Sequence, residues 1–270
     1  MTTNLIEEVG ALLRKAAANA IMPSFRRLDD DEIEEKSPGQ LVTVADRRAE
    51  QIIGDGLRAL LPGSVVVGEE GVAEDAGQLE HLRESGPVWL VDPLDGTSNF
   101  TAGRPPFAVM VALRRDGVTR TGWILDPLTD SLLVADEHRG AYLDGAAVRL
   151  PQAGPPAADL RGALRARILP DAMRDSVGEH GDRIGALLSG RHCAAQEYRD
   201  IVTGVQHFAV FWRTLPWDHT AGVLLVEEAG GVARRFDGGR YDPADDRRGL
   251  LVAANEEIWT TVQEVLGATD

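Results

Sequence analysis

The chain has 270 residues, enough for one large or two closely packed domains with a real hydrophobic core. Its 28 Lys and Arg against 43 Asp and Glu leave a formal charge of −15, which disfavours nucleic-acid backbones and anionic membranes as partners. The composition, 43% apolar and 26% charged, is globular, and the single cysteine, Cys193, excludes an internal disulfide, a thiolate zinc site and a cysteine-held iron–sulfur cluster.

The N-terminus, MTTNLIEEVG, is acidic where a secretory signal is basic, and apolar runs such as FAVMVAL (107–113) fall far short of a membrane span. A soluble, cytoplasmic protein is expected. Leu5, Ile6, Val9, Leu12, Leu13, Ala16, Ala20 and Ile21 recur at helical spacing, predicting a helix over 4–28 that ends near Pro23. A polar loop, KSPGQLVT, precedes a second helix after Asp46, which Pro62-Gly63 stops. The pattern then changes to short β-branched runs: SVVVGEE, PVWLVD, FAVMVALRRDG, GWILDP and SLLVADE. Asp116-Gly117 and Asp144-Gly145 fit tight hairpin turns, so this half reads as an antiparallel meander packed on the first two helices. The Pro- and Ala-rich PQAGPPAADL (151–160) separates two expected lobes, 1–152 and 153–270. The second lobe alternates strand ALRARIL, helices near 171–189 and 195–205, strand HFAVFWR, helix WDHTAGVLLVEEA, strands VARRF and GLLVAAN, and helix EEIWTTVQEVL.

Carboxylates stand at the ends of apolar strands: Glu69 and Glu70 after VVVG, Asp92 after VWLV, and Asp95 three residues on. Strand ends are where α/β proteins place their sites. Singly, each has an ordinary reading: Asp46 and Asp218 as helix caps, Asp92 and Asp95 as turn formers, Glu69 and Glu70 as a solvated turn. Gathered in one cleft, they cannot all stay ionised without a compensating positive charge. Oxygen-only ligation, with no HExxH and no EF-hand loop, selects magnesium, manganese or calcium. Magnesium binds through a few carboxylates plus substrate phosphate oxygens, so a phosphate is the expected substrate. Gly96, Thr97 and Ser98 form a turn whose backbone N–H groups would face an anion. Neither GxxxxGK[ST], GxGxxG nor GxSxG occurs, and the six histidines show no ligand spacing. Cys193 reads as a core residue rather than a nucleophile.

GEE (68–70), WLVDPLDGTSNF (89–100) and WDHTAG (217–222) followed by EEAGG resemble the three signatures of the inositol monophosphatase family of lithium-sensitive, magnesium-dependent phosphatases. KSPGQLVTVAD resembles the family's mobile loop and GAYLDG the hairpin that ends its antiparallel sheet. The resemblance implies an α/β (α+β) fold, a layered α-β-α-β-α sandwich with an antiparallel N-terminal sheet and a mixed C-terminal sheet, usually a homodimer. It implies that Glu69, Asp92, Asp95, Asp218 and the Leu94 carbonyl hold two or three Mg2+ ions, Mn2+ substituting and Li+ inhibiting. Glu69 and Thr97 would activate the attacking water, with Asp46 and Lys36 near a third ion. Asp95, Gly96, Thr97 and Asp218 would contact the substrate, a small phosphorylated metabolite.

One stretch departs from the family. Where members acting on inositol phosphate carry an acidic residue, HFAVFWRTLPWD is one residue shorter and has Phe211, Trp212 and Arg213. Arginine binds phosphate or carboxylate; it is no acceptor for a sugar hydroxyl. Arg213 is either a solvated strand end or a substrate ligand, and in the second case bisphosphates, nucleotides or NADP rival inositol phosphate. A relative that kept the fold and lost turnover is the remaining alternative.

Overall fold

The computed structural model describes residues 3–37 and 39–267; Pro38 of the KSPGQ loop and the first two residues of the chain lie outside them. Among these residues no helix is long and apolar enough to cross a membrane.

The chain opens with α1 (Thr3–Ala16), a wider turn over Ala17–Ile21 and a last turn α2 (Met22–Ser24). Pro23 has no N–H to give to the preceding turn, and the helix ends right after it. The expected polar loop is instead a hairpin, β1 (Ile33–Ser37) and β2 (Gln40–Thr43), with Ile33 opposite Thr43. Its strands are short and mostly polar, which leaves too little period-two signal to read. Thr43 then caps α3 (Val44–Leu60) in a capping box with Asp46.

A seven-stranded sheet follows, in order β3 (Val65–Gly68), β4 (Pro87–Asp95), β5 (Ala108–Arg115), β6 (Val118–Asp126), β7 (Ser131–Asp136), β8 (Gly140–Leu143) and β9 (Ala146–Val148). It is antiparallel from β4 onward, as expected, but β3 pairs with β4 in parallel. The connection, α4 (Glu69–Glu74) and a tighter helical turn over Ala76–Arg83, has the length that a parallel crossover needs. Asp116-Gly117 and Asp144-Gly145 all have positive φ, as their hairpins require. α5 (Thr97–Thr101) follows β4 directly.

The remaining chain builds a mixed five-stranded sheet, order β11-β10-β12-β14-β13, from β10 (Arg161–Leu164), β11 (Ala186–Leu188), β12 (Phe208–Phe211), β13 (Val232–Arg234) and β14 (Leu250–Ala253). The helix expected near 171–189 is shorter: α6 (Asp171–His180) ends at Gly181, and residues 186–188 form β11. α7 (Ala194–Val202), α8 (Pro216–Glu228) and α9 (Glu256–Leu266) complete the order.

The layers follow from alternation along buried strands. On β4 and β5, Trp89, Val91, Val109, Val111 and Leu113 face α1 and α3, whereas Leu90, Met110 and Ala112 face the core around α8. α8, apolar around its whole circumference, lies between the two sheets, and α9 packs on β14 from outside. The result is the α-β-α-β-α sandwich.

Candidate metal and phosphate site

Three carboxylates meet because of how three elements end. Parallel pairing sets Gly68 opposite Val91, so the next residues, Glu69 and Asp92, emerge side by side. Pro216 starts α8, a favoured first-turn position, and places Asp218 in that turn. Glu69, Asp92 and Asp218 each offer an oxygen within 4.8 Å of the others. Burial, then the charges of Glu69, Asp95 and Asp218, drive the Asp92 carboxyl well above its ordinary range; burial, Glu69 and Asp95 do the same to Asp218. An all-oxygen donor set in mutual repulsion fits a hard divalent cation, which would relieve that repulsion.

Asp95 is placed differently. Its Oδ2 accepts the Ala195 N–H at 2.6 Å and the Cys193 thiol at 3.1 Å, and it stands outside the close trio. Burial lifts its carboxyl to about 6 against those bonds. Asp92 accepts the Leu94 N–H at 3.0 Å, folding the DPLD segment back on itself. The Thr97 hydroxyl lies 2.9 Å from the Leu94 carbonyl and 3.2 Å from Asp46 Oδ1, so Leu94, Thr97 and Asp46 are one connected group. Asp46 Oδ2 accepts from the Thr43 N–H and hydroxyl, and burial raises Asp46 to about 7. Gly96, at φ +89°, caps α5, whose first amides have no intrahelical acceptor.

Lys36, on β1, donates to Glu69 Oε1 at 2.9 Å and Glu70 Oε1 at 2.7 Å, tying the hairpin to the carboxylates. Glu50 on α3 accepts the Glu70 and Gly71 N–H groups, each at 2.8 Å, and so holds the start of α4. Burial lifts Glu50 to about 7. Neither Glu50 nor the Cys193–Ala195 contact leaves a mark in the sequence, since both partners are remote along the chain.

The trio, Gly96 and Thr97 line a cleft of about 550 Å³ that reaches the C-terminal sheet. Arg213 lines it too, together with Arg165, His192 and Arg248, which no motif singles out. His219 lies buried in the cleft wall with both ring nitrogens engaged. Its Nε2 donates to the Arg213 carbonyl at 3.1 Å and its Nδ1 accepts from the Tyr198 hydroxyl at 2.9 Å. Burial holds it at about 3, so it is neutral. Cys193 is buried, and burial and Asp95 push its thiol well above its ordinary range.

Known proteins place the chain in a family. Residues 3–267 match the model of the inositol monophosphatase family. The Nus factor SuhB of Pseudomonas aeruginosa is 32% identical over 262 residues, 92% of each chain. An inositol-1-monophosphatase of Mesorhizobium japonicum is 33% identical, covering 90% of this chain and 88% of its own. A solved Thermotoga maritima inositol monophosphatase superposes with a TM-score of 0.82 at 26% identity, over 98% of this chain and 97% of its own. With the family model spanning nearly its whole length, the chain belongs to the inositol monophosphatase family.

Proposed function

We propose that the chain is a divalent-cation-dependent phosphatase that hydrolyses a small-molecule phosphate monoester without a covalent intermediate. The observation that carries this is the trio of Glu69, Asp92 and Asp218 within 4.8 Å, in one cleft with the Gly96–Thr97 turn. Glu69, Asp92 and Asp218 would hold the ion, with Asp95 and the Leu94 carbonyl completing the set. Mg2+ suits so sparse an oxygen set, and Mn2+ is the natural substitute. Bound there, the ion supplies Lewis-acid polarisation of the phosphoryl group and of a water.

The chain's own groups do the rest. The first-turn amides after Gly96 receive the phosphate, and the missing Gly side chain lets it approach. Lys36 fixes Glu69 through Oε1, and the Glu69 carboxylate, besides holding the ion, takes the proton from the attacking water. Thr97, linked to Asp46, orients that water with its hydroxyl.

The test is phosphate release from inositol monophosphate, fructose bisphosphate, phosphoadenosine phosphate, NADP and histidinol phosphate, with and without Mg2+. Release should require Mg2+ and fall by orders of magnitude in Asp92→Asn, whose circular dichroism and urea midpoint should match a folded protein. A fully active Asp92→Asn sinks the site assignment. No release from any substrate by a folded protein favours a role without turnover, an alternative that the Nus-factor name of one relative keeps in view.

A further inference from the structure

We propose that the substrate carries a second anionic group besides the ester that reacts, and that Arg165, Arg213 and Arg248 form the subsite that holds it. The inference deepens the phosphatase reading and rests on it. Its first support is topology. β10, β11 and β12 run parallel and β14 runs antiparallel, with Leu250 opposite Phe211. Arg165 follows the end of β10, His192 lies in the connection after β11, Arg213 stands two residues beyond β12 and Arg248 two before β14. Four separate segments therefore deliver their basic residues to one edge of the sheet, beyond the carboxyl ends of its parallel strands, where open sheets bind ligands.

The second support is missing counterions. Among the described residues, several guanidinium groups elsewhere find carboxylates, Arg47 with Glu34, Arg191 with Asp200 and Arg235 with Asp245, while others such as Arg27 and Arg149 stand exposed on the surface without one, not in a cleft. Among the described residues Arg165, Arg213 and Arg248 have no carboxylate in ion-pair reach, in a chain with 43 acidic residues against 28 Lys and Arg. Glu197, the nearby acid, is committed to the Arg191 N–H and the Gln206 amide. Arg165 instead donates to His192 Nδ1 at 3.3 Å, an arrangement that suits a neutral imidazole. Burial and the charges of Arg165, Arg167 and Arg104 hold His192 below its ordinary pKa; burial, Arg167 and Arg213 lower Arg165. Positive charge is thus concentrated without a direct ion pair, Asp218 and Glu197 acting on Arg213 and Arg165 only from beyond contact, and an anion in the cleft supplies the missing partner.

The backbone that carries Arg213 is also held in place, since His219 donates to its carbonyl and accepts from the Tyr198 hydroxyl. That anchoring reduces the ordering a ligand would have to impose. A polyanion is the wrong occupant: the arginines line a cleft of about 550 Å³, the size of a metabolite site, in a molecule of net charge −15. The second group is a phosphate or a carboxylate, both of which fit the guanidinium fork.

Matched pairs test this with Mg2+ present: adenosine 2′-phosphate against adenosine 2′,5′-bisphosphate, fructose 1-phosphate against fructose 1,6-bisphosphate, and glycerol 3-phosphate against 3-phosphoglycerate. At least one doubly anionic member should exceed its partner tenfold or more in kcat/KM, chiefly through KM, the first two pairs reporting a phosphate and the third a carboxylate. Arg165→Gln and, on an exposed position, Arg248→Gln should each pull that ratio toward one. Equal rates within every pair, or variants that lower both members alike, overturn the subsite while leaving the phosphatase standing. If nothing releases phosphate the phosphatase reading fails, and a metal-free measurement still decides the subsite. In EDTA, millimolar inorganic phosphate should raise the thermal midpoint of the wild type and not of Arg165→Gln; no shift in the wild type overturns it.

Discussion

At Gly96 the signature string owes a letter to backbone geometry. Its φ is +89°, and a Cβ there would stand 2.9 Å from the Pro106 carbonyl oxygen and 3.3 Å from Phe107 Cα, both immovable backbone. Gly145 also has positive φ, +81°, but open space around it. Gly145→Ala should then cost only the conformational preference, ~1–2 kcal/mol. Gly96→Ala should add an overpacking cost of ~1–3 kcal/mol. Urea midpoints of the two variants check the difference, and equal losses would show that the Pro106 contact is harmless. The neighbouring letters were legible for chemical reasons: Asp92 and Asp95 are polar at the end of an apolar strand, and Thr97 follows in a glycine-containing turn. What could not be read was their division of labour. Asp95 gives one oxygen to Ala195 and Cys193, a hundred residues away, and no local pattern encodes such a partner.

Between elements, the strongly periodic segments were the readable ones. α1, α3 and the hairpin strands of the meander bury enough side chains to impose their period. The β1–β2 ribbon, with few apolar residues, was not readable, nor was β11, a partly buried strand of three residues inside an expected helix. The parallel β3–β4 pair was missed because strand runs carry no direction, yet it is what sets Glu69 beside Asp92. α8 supplies the third carboxylate, and its height above the sheet is set by small residues. A Cβ on Gly122 of β6 would stand 2.9 Å from Ala221 Cα and 3.0 Å from its carbonyl oxygen. Gly122→Ala should push α8 away from the sheet and Asp218 with it. The expected result is ~1–3 kcal/mol of lost stability together with a higher Mg2+ requirement for turnover. Lost stability with an unchanged Mg2+ titration would show that α8 adjusts without moving Asp218.

Over the whole molecule, the carboxylates make stability a function of pH and, on the proposed function, of metal. Asp46 and Glu50 ionise near 7 in the fold, against 3.8 and 4.5 ordinarily, so the native state binds more protons than the unfolded chain between those limits. Their stabilising contribution is complete near pH 4 and is lost as pH rises through 7. His219 acts in the opposite sense: held at about 3 instead of 6.5, it adds stability as pH climbs through that range, and its effect is finished by about 6.5. Groups such as Asp144 and Asp237, whose pKa values are lowered, matter only in the acid region below about 4. Above pH 6.5 the buried carboxylates therefore act alone. In EDTA the thermal midpoint should fall from pH 6.5 to 8, each kcal/mol appearing as ~2–4 °C. A cation that binds the ionised trio opposes the fall, so Mg2+ should raise the midpoint more at pH 8 than at pH 6.5. Scanning calorimetry at the two pH values, with and without Mg2+, measures both slopes. A midpoint that rises with pH in EDTA, or a Mg2+ increment that shrinks, would mean that the cluster carries its charge without needing a cation.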